Sequence, residues 1–187
     1  MIIILSAPSG CGKTSIAKRI ISSDPNIILS VSATTRKPRP AEIEGINYFF
    51  KTIAEFKKMD LLESTKIYGN LYGTPRQFVE DQIKKGKDIL FDIESNGAYQ
   101  IMDKAHVKVV SIFILPPSLE ILRTRLLNRN QDSETDIELR LKEAEGEQNH
   151  AKNYHYTVIN DDFDQAVKKV QEIIALERLR GKINDQK

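Results

Sequence analysis

The chain has 187 residues, of which 40% are hydrophobic, and 28 Lys and Arg against 26 Asp and Glu give a formal net charge of +2. This length suits one compact α/β domain with small insertions, and the nearly balanced charge argues against a general nucleic-acid-binding surface. A single cysteine excludes an intrachain disulfide, and no apolar run reaches the length of a membrane span, so we expect a cytoplasmic protein without nucleic-acid or membrane partners.

A predicted phosphate-binding loop follows the first predicted strand. The apolar residues 2–5 run directly into the sequence APSGCGKT at residues 7–14. The two glycines let backbone N–H groups converge on phosphate oxygens, the lysine adds a positive charge, and the threonine hydroxyl can bind Mg²⁺. The amphipathic helix that comes next directs its positive end to the same anion. We therefore predict phosphate binding by Ala7, Pro8, Ser9, Gly10, Cys11, Gly12, Lys13, Thr14 and Ser15.

One position departs from the GxxxxGK[ST] pattern of such loops. Ala7 stands where the first glycine is usual, so the backbone there must adopt a conformation that a methyl group tolerates. The departure is mild because the glycines that allow close approach to the phosphates remain. A chance glycine-rich turn is the alternative interpretation, and the flanking strand and amphipathic helix argue against it.

The apolar and capping patterns predict alternating strands and helices along the rest of the chain. Four short apolar segments predict the strands of a buried parallel sheet with helices on its faces: residues 2–5, 28–31, 89–91 and 107–115. Capping boxes predict three helix starts: Thr52 with Glu55, Thr74 with Gln77, and Thr135 with Glu138. Pro75 at a first helical position and Gly86 past the last turn support the middle one. A closing helix carries apolar residues at 163, 167, 170 and 174, and we expect its end to fray from Gly181 onward.

Two segments are too long or too polar to be plain connections. Residues 32–89 contain their own turns, aromatics and helices, which predicts an inserted subdomain that binds a second ligand. Residues 123–153 are highly charged with few core positions, which predicts a mobile lid. The remaining segments, residues 1–31, 90–122 and 154–187, would form the core.

Two arginines follow the second predicted strand in an extended, proline-stiffened segment. Arg36 and Arg39 present two guanidinium groups, which suit a second phosphate group. Taken alone, this segment is more typical of a solvated basic loop than of a phosphate site.

Taken together, these motifs resemble the guanylate kinase family almost from end to end. The phosphate loop is followed by a Ser-x-Thr-Thr-Arg-x-x-Arg segment at residues 32–39, a Gly-x-x-Tyr turn at 45–48, and Glu63 ahead of Tyr72-Gly73-Thr74. An acidic pair follows the third strand, and Asn-Asp closes the series at 160–161. The resemblance implies a P-loop NTPase-type α/β fold with an inserted GMP-binding subdomain and a lid. It also implies Mg²⁺-dependent transfer of the γ-phosphoryl group of ATP to GMP, with dGMP as a second acceptor, in purine nucleotide metabolism.

The resemblance also assigns roles to individual residues. GMP would be bound by Ser32, Arg36, Arg39, Tyr48, Glu63, Tyr72, Gly73, Thr74 and Glu94. Besides the phosphate loop, ATP would contact Arg125 and Asn160, and Mg²⁺ would be held by Thr14 and Asp92. The catalytic cations would be Lys13, Arg36, Arg129 and Arg140. Chemistry supports the base contacts, because guanine presents N1–H and an amino group side by side and one carboxylate can accept from both.

Several departures and alternatives accompany these assignments. Glu94 stands where the family usually has aspartate, and residues 95–97 read SNG in place of a more usual WQG. In the acceptor site, Glu63 could instead be a solvated charge, Thr74 could be an N-cap, and Tyr48 and Tyr72 could be packing aromatics. In the donor site, Asp92 could be a helix cap and Arg125 could belong to an ion-paired helix. Asn160 or Asp161 could cap the last helix.

Two other functions compete with this interpretation. A kinase of the same architecture could act on another phosphorylated acceptor such as a ribose bisphosphate, but it would not need Glu63, Tyr48 and Tyr72 together. A scaffold domain of this type could bind phosphopeptides without catalysis, but such domains lack a working phosphate loop, whereas Lys13 and Thr14 are present here. The sequence leaves open whether the protein is a monomer or a homodimer.

Overall fold

The computed structural model describes residues 1–67, 69–128 and 134–184. In chain order the strands are β1 (Ile2–Ser6), β2 (Ile27–Leu29), β3 (Ala33–Thr34), β4 (Phe49–Phe50), β5 (Leu61–Ile67), β6 (Asn70–Pro75), β7 (Asp88–Asp92), β8 (Val109–Leu115) and β9 (Tyr156–Ile159). The helices are α1 (Lys13–Ser23), α2 (Ile53–Phe56), α3 (Arg76–Lys84), α4 (Ser95–Lys104), α5 (Leu119–Asn128), α6 (Glu134–Gln148) and α7 (Phe163–Asn184), with a 3₁₀ turn at Asn149–Asn153.

A five-stranded parallel sheet, ordered β2-β7-β1-β8-β9, forms the centre of the molecule. The four predicted core strands are confirmed as β1, β2, β7 and β8, with ends that shift by at most two residues. β9 is a further strand, which the apolar pattern did not predict because only Val158 of its residues is buried. Since the strands are parallel, the carboxyl ends of β1, β7 and β9 meet at one edge of the sheet, which is where ligands bind in α/β folds.

Helices cover both faces of this sheet, as predicted. Residues of β1 alternate between the two faces. Ile3 and Leu5 pack in one apolar cluster with buried residues of α1, α5 and α7, whereas Ile2 and Ile4 pack in another with Val79 of α3 and buried residues of α4. The β1 side chains at positions 2–5 are all fully buried, so the strand that leads into the phosphate loop is fixed from both sides.

A second, four-stranded sheet, ordered β4-β3-β6-β5, is formed by strands within residues 33–75. Its pairs β3/β6 and β5/β6 are antiparallel and β3/β4 is parallel. α2 begins at the predicted capping box, in which the Thr52 hydroxyl accepts from the Glu55 N–H while the Glu55 carboxylate accepts from the Thr52 N–H. This small sheet carries four of the nine residues that the resemblance assigned to GMP: Glu63, Tyr72, Gly73 and Thr74.

Two of the three predicted capping boxes are wrong. Thr74 lies in β6, and α3 begins only at Arg76 with Pro75 as its N-cap, because the Thr74 hydroxyl donates to Glu63 instead of capping the helix. α6 begins at Glu134, so Thr135 lies inside its first turn. Gly86 follows the C-cap of α3 with a φ of 80°, as expected for a helix-ending glycine.

The last helix is confirmed, but it extends further than expected. Val167, Val170 and Ile174 are buried against the main sheet, and α7 continues through Gly181 to Asn184. Within the part of the chain that the structure describes, no helix is long and apolar enough to cross a membrane.

Candidate active site

The phosphate loop connects β1 to α1 in a conformation that requires its glycines. Gly10 has a φ of 89° and Gly12 a φ of 87°, both in the left-handed region that L side chains rarely adopt. A Cβ atom at Gly12 would also lie 2.7 Å from Asn160 Nδ2. The loop lines a cavity of about 680 Å³ together with Glu94, Arg140, Glu143 and Glu147. The loop therefore has room in front of it for a phosphorylated ligand.

Lys13, Thr14 and Asp92 form one cluster at the start of α1. Asp92 is the last residue of β7, beside Leu5 of β1. Its two carboxylate oxygens contact different partners: Oδ1 lies 3.0 Å from Lys13 Nζ, and Oδ2 accepts a hydrogen bond of 2.7 Å from Thr14 Oγ1. The alternative that Asp92 only caps a helix is therefore wrong. The sheet edge brings a carboxylate, a hydroxyl and an ammonium group together beside the loop.

Asn160 ties the end of β9 to the phosphate loop. Its Nδ2 donates to the Cys11 carbonyl oxygen at 2.8 Å, and its side chain is buried. Arg125 of α5 lies on the other side of this junction, where its guanidinium donates to the carbonyl oxygens of Asn160 and Asp161 at 2.8 and 3.0 Å. The first turn of α7 is capped by Asp162, whose carboxylate accepts from the Gln165 N–H, so the alternative that residue 160 or 161 caps it is wrong.

The predicted lid segment, residues 123–153, contributes one face of α6 to the same cavity. Arg140, Glu143 and Glu147 line it, with the helical spacing that places them on one side. Burial raises the pKa of the Glu147 carboxyl above its usual value, and the neighbouring carboxylates of Glu94 and Glu143 raise it further. Arg129, the other predicted lid cation, lies outside the described residues.

Glu63 is buried at the centre of a hydroxyl network on the second sheet. It is 4% exposed, so the alternative of a solvated charge is wrong. Its Oε1 accepts from Thr74 Oγ1 at 2.8 Å, and Thr74 Oγ1 lies 3.2 Å from Ser32 Oγ. Burial raises the pKa of the Glu63 carboxyl, although the hydrogen bond from Thr74 opposes this shift. Three of the four residues that the resemblance assigned to guanine, Ser32, Glu63 and Thr74, thus form one connected group, whereas the fourth, Glu94, lines the cavity of the phosphate loop.

Two glycines allow close packing next to Glu63, one at its backbone and one between Ile93 and its carboxylate. A Cβ at Gly73 would lie 2.6 Å from the Glu63 carbonyl oxygen, and one at Gly97 would lie 2.5 Å from Ile93 Cδ1 and 3.6 Å from Glu63 Oε2. Gly97 lies in the first turn of α4, about one helical turn, roughly 5 Å along the axis, from the N-cap residue Glu94. Since Glu94 lines the cavity of the phosphate loop, the start of α4 touches both sites.

Arg36 is already engaged in a bidentate ion pair. Its Nη2 and Nη1 donate to the two carboxylate oxygens of Glu42 at 2.7 and 3.0 Å, and its guanidinium lies 5.4 Å from the centre of the Tyr48 ring. The hydrogen bond to Glu42 raises the Arg36 pKa, and a contact with Tyr72 adds to this effect. Glu42 also accepts from the Arg39 backbone N–H at 2.7 Å. The Tyr48 and Tyr72 rings meet edge to face, 5.9 Å apart.

The sequence did not reveal every residue of these sites. Glu143 and Glu147 could have been found, because they follow Arg140 at helical spacing. Glu42 and Gln100 carried no such signal, because Glu42 meets Arg36 through the path of an irregular loop, and Gln100 lies in a different element from its partner Ser64.

Comparisons with known proteins agree on one family. A family model described as guanylate kinase matches residues 1–177. The guanylate kinase of Rickettsia felis is 54% identical over 182 residues, which covers 95% of this chain and 94% of the relative. That of Rhizobium meliloti is 47% identical over 184 residues, which covers 96% and 84%. The crystal structure of guanylate kinase from Anaplasma phagocytophilum superimposes with a TM-score of 0.69 at 34% identity and covers 95% of this chain and 85% of that one.

Proposed function

We propose that this chain, which belongs to the guanylate kinase family and is an enzyme that phosphorylates GMP, takes the phosphoryl group from ATP bound with Mg²⁺. We also propose that dGMP is a second acceptor and that a lid closes over the reactants. The proposal divides the chain into a core of residues 1–31, 90–122 and 154–187, a GMP-binding insertion of residues 32–89 and a lid of residues 123–153. It includes a place in cytoplasmic purine nucleotide metabolism.

The observation that carries the proposal is the adjacency of two different sites at the start of α4. Glu94 faces the cavity of the phosphate loop, whereas Gly97, in the first turn of the same helix, lies against the Glu63 carboxylate. A triphosphate on the loop and a purine monophosphate on the second sheet would therefore meet across about one helical turn. Direct transfer of a phosphoryl group needs this arrangement, since both reactants must be held in line.

On the donor side, backbone amides and one cation hold the triphosphate. The N–H groups around Gly10 and Gly12 and the start of α1 provide donors and a positive helix end for the β- and γ-phosphates. Lys13, now paired with Asp92, would turn its charge to the phosphate oxygens. Arg125 and Asn160 would border the adenine base, beside the end of β9.

The residues at the loop fit a magnesium ion bound together with a nucleotide. Among the described residues no cluster of three or more acidic, histidine or cysteine side chains could hold a metal by itself. Mg²⁺ characteristically binds through one or two protein oxygens and the phosphates of its substrate. The Thr14 hydroxyl and the Asp92 carboxylate offer such oxygens. When bound, the ion would neutralise negative charge on the β- and γ-phosphates.

On the acceptor side, side chains read both ends of GMP. Glu63 would accept hydrogen bonds from guanine N1–H and the 2-amino group. Ser32 would donate to O6, since the one hydroxyl hydrogen of Thr74 is already donated to Glu63. Adenine presents an acceptor at N1 and an amino group at C6, so it would leave buried polar groups unpaired. Arg36 and Arg39 with the Tyr48 and Tyr72 hydroxyls would bind the phosphate, and Gly73 leaves space for the Glu63 backbone.

Transfer then needs no covalent enzyme intermediate. An oxygen of the GMP phosphate attacks the γ-phosphorus of ATP, the bond from that phosphorus to the β,γ-bridging oxygen breaks, and ADP leaves with the electron pair. Lys13, Arg36 and the lid arginines Arg129 and Arg140 would offset negative charge on the transferring group. Lid closure would keep water from accepting the phosphoryl group.

Both competing functions find less support. A phosphopeptide scaffold would not need the contacts of Asp92 with Lys13 and Thr14. A ribose bisphosphate acceptor would not need a buried carboxylate in a hydroxyl network.

A substrate panel tests the proposal. Purified protein is given ATP and Mg²⁺ with GMP, dGMP, AMP or UMP, and ADP release is measured by a coupled assay. We expect GMP and dGMP to be phosphorylated and kcat/KM for AMP to be lower by a factor of about 10³ or more, since a site built to hydrogen-bond one base rejects another strongly. ADP release that matches in rate for AMP and GMP would overturn the base assignments. Activity that persists in excess EDTA would overturn the role of Mg²⁺.

A further inference from the structure

Gln100 of α4 makes a paired contact with the backbone of Ser64 in β5. Its Oε1 accepts from the Ser64 N–H at 3.1 Å, and its Nε2 donates to the Ser64 carbonyl oxygen at 3.2 Å. One side-chain amide therefore serves both backbone groups of one residue, as a neighbouring strand would.

β5 needs such a partner at this position. It lies at one end of the second sheet, and within the described residues β6 is its only strand neighbour. In an antiparallel pair, both backbone groups of a residue point to the same side. Those of Ser64 point away from β6 toward α4, where the Gln100 amide binds them. The pairing of β5 with β6 also shifts register between Leu61 and Glu63, so the strand is least regular just before Glu63.

Ser64 directly follows Glu63, the residue that would read guanine. The Glu63 carboxylate is fixed at one oxygen by Thr74, while its other oxygen lies on the side of Gly97. Gly97 and Gln100 are three residues apart on α4, so the same helix lies beside the carboxylate and holds the backbone that follows it.

We propose that Gln100 is a positioning residue for base recognition. It would act through Ser64, without touching GMP, to aim the Glu63 carboxylate at the two neighbouring donors of guanine. This inference rests on the proposed acceptor site. Without the amide, the edge strand could shift at its irregular point, and Glu63 would keep its charge but lose the alignment that accepts two hydrogen bonds at once.

The test compares GMP with inosine 5′-monophosphate, which keeps the phosphate, N1–H and O6 but lacks the 2-amino group. The ratio of their dissociation constants isolates the second hydrogen bond to Glu63. If Gln100 served stability alone, its substitution would lower the melting temperature or weaken the binding of both nucleotides equally. The ratio of their dissociation constants would then stay unchanged.

Gln100→Met keeps an unbranched side chain of similar length and removes both hydrogen bonds to Ser64, together with a longer one of 3.5 Å to the Asn96 carbonyl oxygen. Gln100→Glu keeps the acceptor for the Ser64 N–H and removes only the donor, so it carries the test should the Met variant not fold. Gln171→Met is the matched control, because Gln171 of α7 donates a 3.0 Å hydrogen bond to Ser23 Oγ in another part of the fold.

Calorimetric titration gives the dissociation constant of inosine 5′-monophosphate divided by that of GMP. We expect this ratio to fall about tenfold in Gln100→Met, the scale of one charge-assisted hydrogen bond, and by less in Gln100→Glu. The control should match the wild type, and ATP binding should be unchanged in all variants. An unchanged ratio in folded Gln100 variants would overturn the role of Gln100. Failure of the wild type to prefer GMP over AMP would instead overturn the proposed acceptor site.

Discussion

The phosphate loop draws its groups from consecutive residues 7–15, whereas the acceptor network joins Glu63 and Thr74, from two strands of the second sheet, with Ser32, just before a third. The loop presents mainly backbone N–H groups, and its shape follows from two glycines with positive φ angles and from the buried strand before them. The network presents side-chain oxygens, and its shape follows from strand pairing.

This difference assigns different tasks to the two regions. Backbone amides recognise phosphate, which every nucleotide carries, so the loop can bind strongly but cannot distinguish bases. A buried carboxylate with fixed hydroxyl neighbours can distinguish them, because a wrong base leaves polar groups unpaired. We therefore expect substitutions on the donor side to change turnover and substitutions on the acceptor side to change selectivity.

Substitution of Lys13 by Ala should give the largest effect. Removing the cation that meets charge on the transferring phosphoryl group is expected to lower kcat by about 10²–10³-fold. GMP affinity should stay unchanged in equilibrium titrations, because the acceptor network does not include Lys13. Lys18→Ala, an exposed lysine on the same helix, is the matched control and should retain full kcat. A loss of GMP affinity equal to the loss of kcat would mean that the two regions are not separable.

Glu63→Gln should act on selectivity instead. The glutamine keeps the size of the side chain but offers one acceptor oxygen and an amino group that faces the donors of guanine. We expect kcat/KM for GMP to fall about 10²-fold while kcat/KM for AMP does not fall. Glu120→Gln, an exposed carboxylate in the first turn of α5, controls for the loss of charge.

The same variant should not be less stable at neutral pH. Burial raises the pKa of Glu63, so its ionised form costs folding free energy above that pKa. Below the pKa that Glu63 has in the unfolded chain, the carboxyl is protonated in both states and ionisation costs no stability. As the pH rises through the higher pKa of the folded state, the carboxyl ionises while buried and the free energy of unfolding decreases. Chemical denaturation at neutral pH should therefore give Glu63→Gln a free energy of unfolding at least equal to that of the wild type, and a marked decrease would contradict this account.

The pH dependence of GMP binding should show a smaller effect of the same group. Binding of GMP needs the ionised carboxylate of Glu63. Because the pKa of this carboxyl is raised, its protonation on acidification should lower the affinity for GMP several-fold already at pH values above 4.5, the usual pKa of glutamate. Titrations of wild type and Glu63→Gln across this range separate the contribution of Glu63 from that of the GMP phosphate, which titrates equally in both. Parallel pH profiles for the two proteins would show that Glu63 does not titrate in this range.

Much of the donor side could be predicted from sequence because its groups are local. Residues 2–14 specify a strand, a turn and a helix start through apolar pattern and glycine placement, and the structure contains all three. The Thr74 capping box shows where local patterns fail. The motif was present, but the Thr74 hydroxyl binds Glu63, because an ionised carboxylate buried without a hydrogen-bond donor costs more free energy than an uncapped helix start.

By itself, the sequence determined the family, the parallel sheet and the phosphate loop, since these depend on residues that are neighbours in the chain. Only the tertiary structure decided which partners Arg36, Glu63 and Asn160 contact: Glu42, Thr74 and the Cys11 carbonyl. The same holds for the amide of Gln100 on the edge of β5. The Arg36–Glu42 pair depends on the path of one loop, since the two residues are six apart in the chain. The other contacts depend on strand order and helix placement, which bring distant side chains within hydrogen-bond distance, and hydrogen bonds act only at that range.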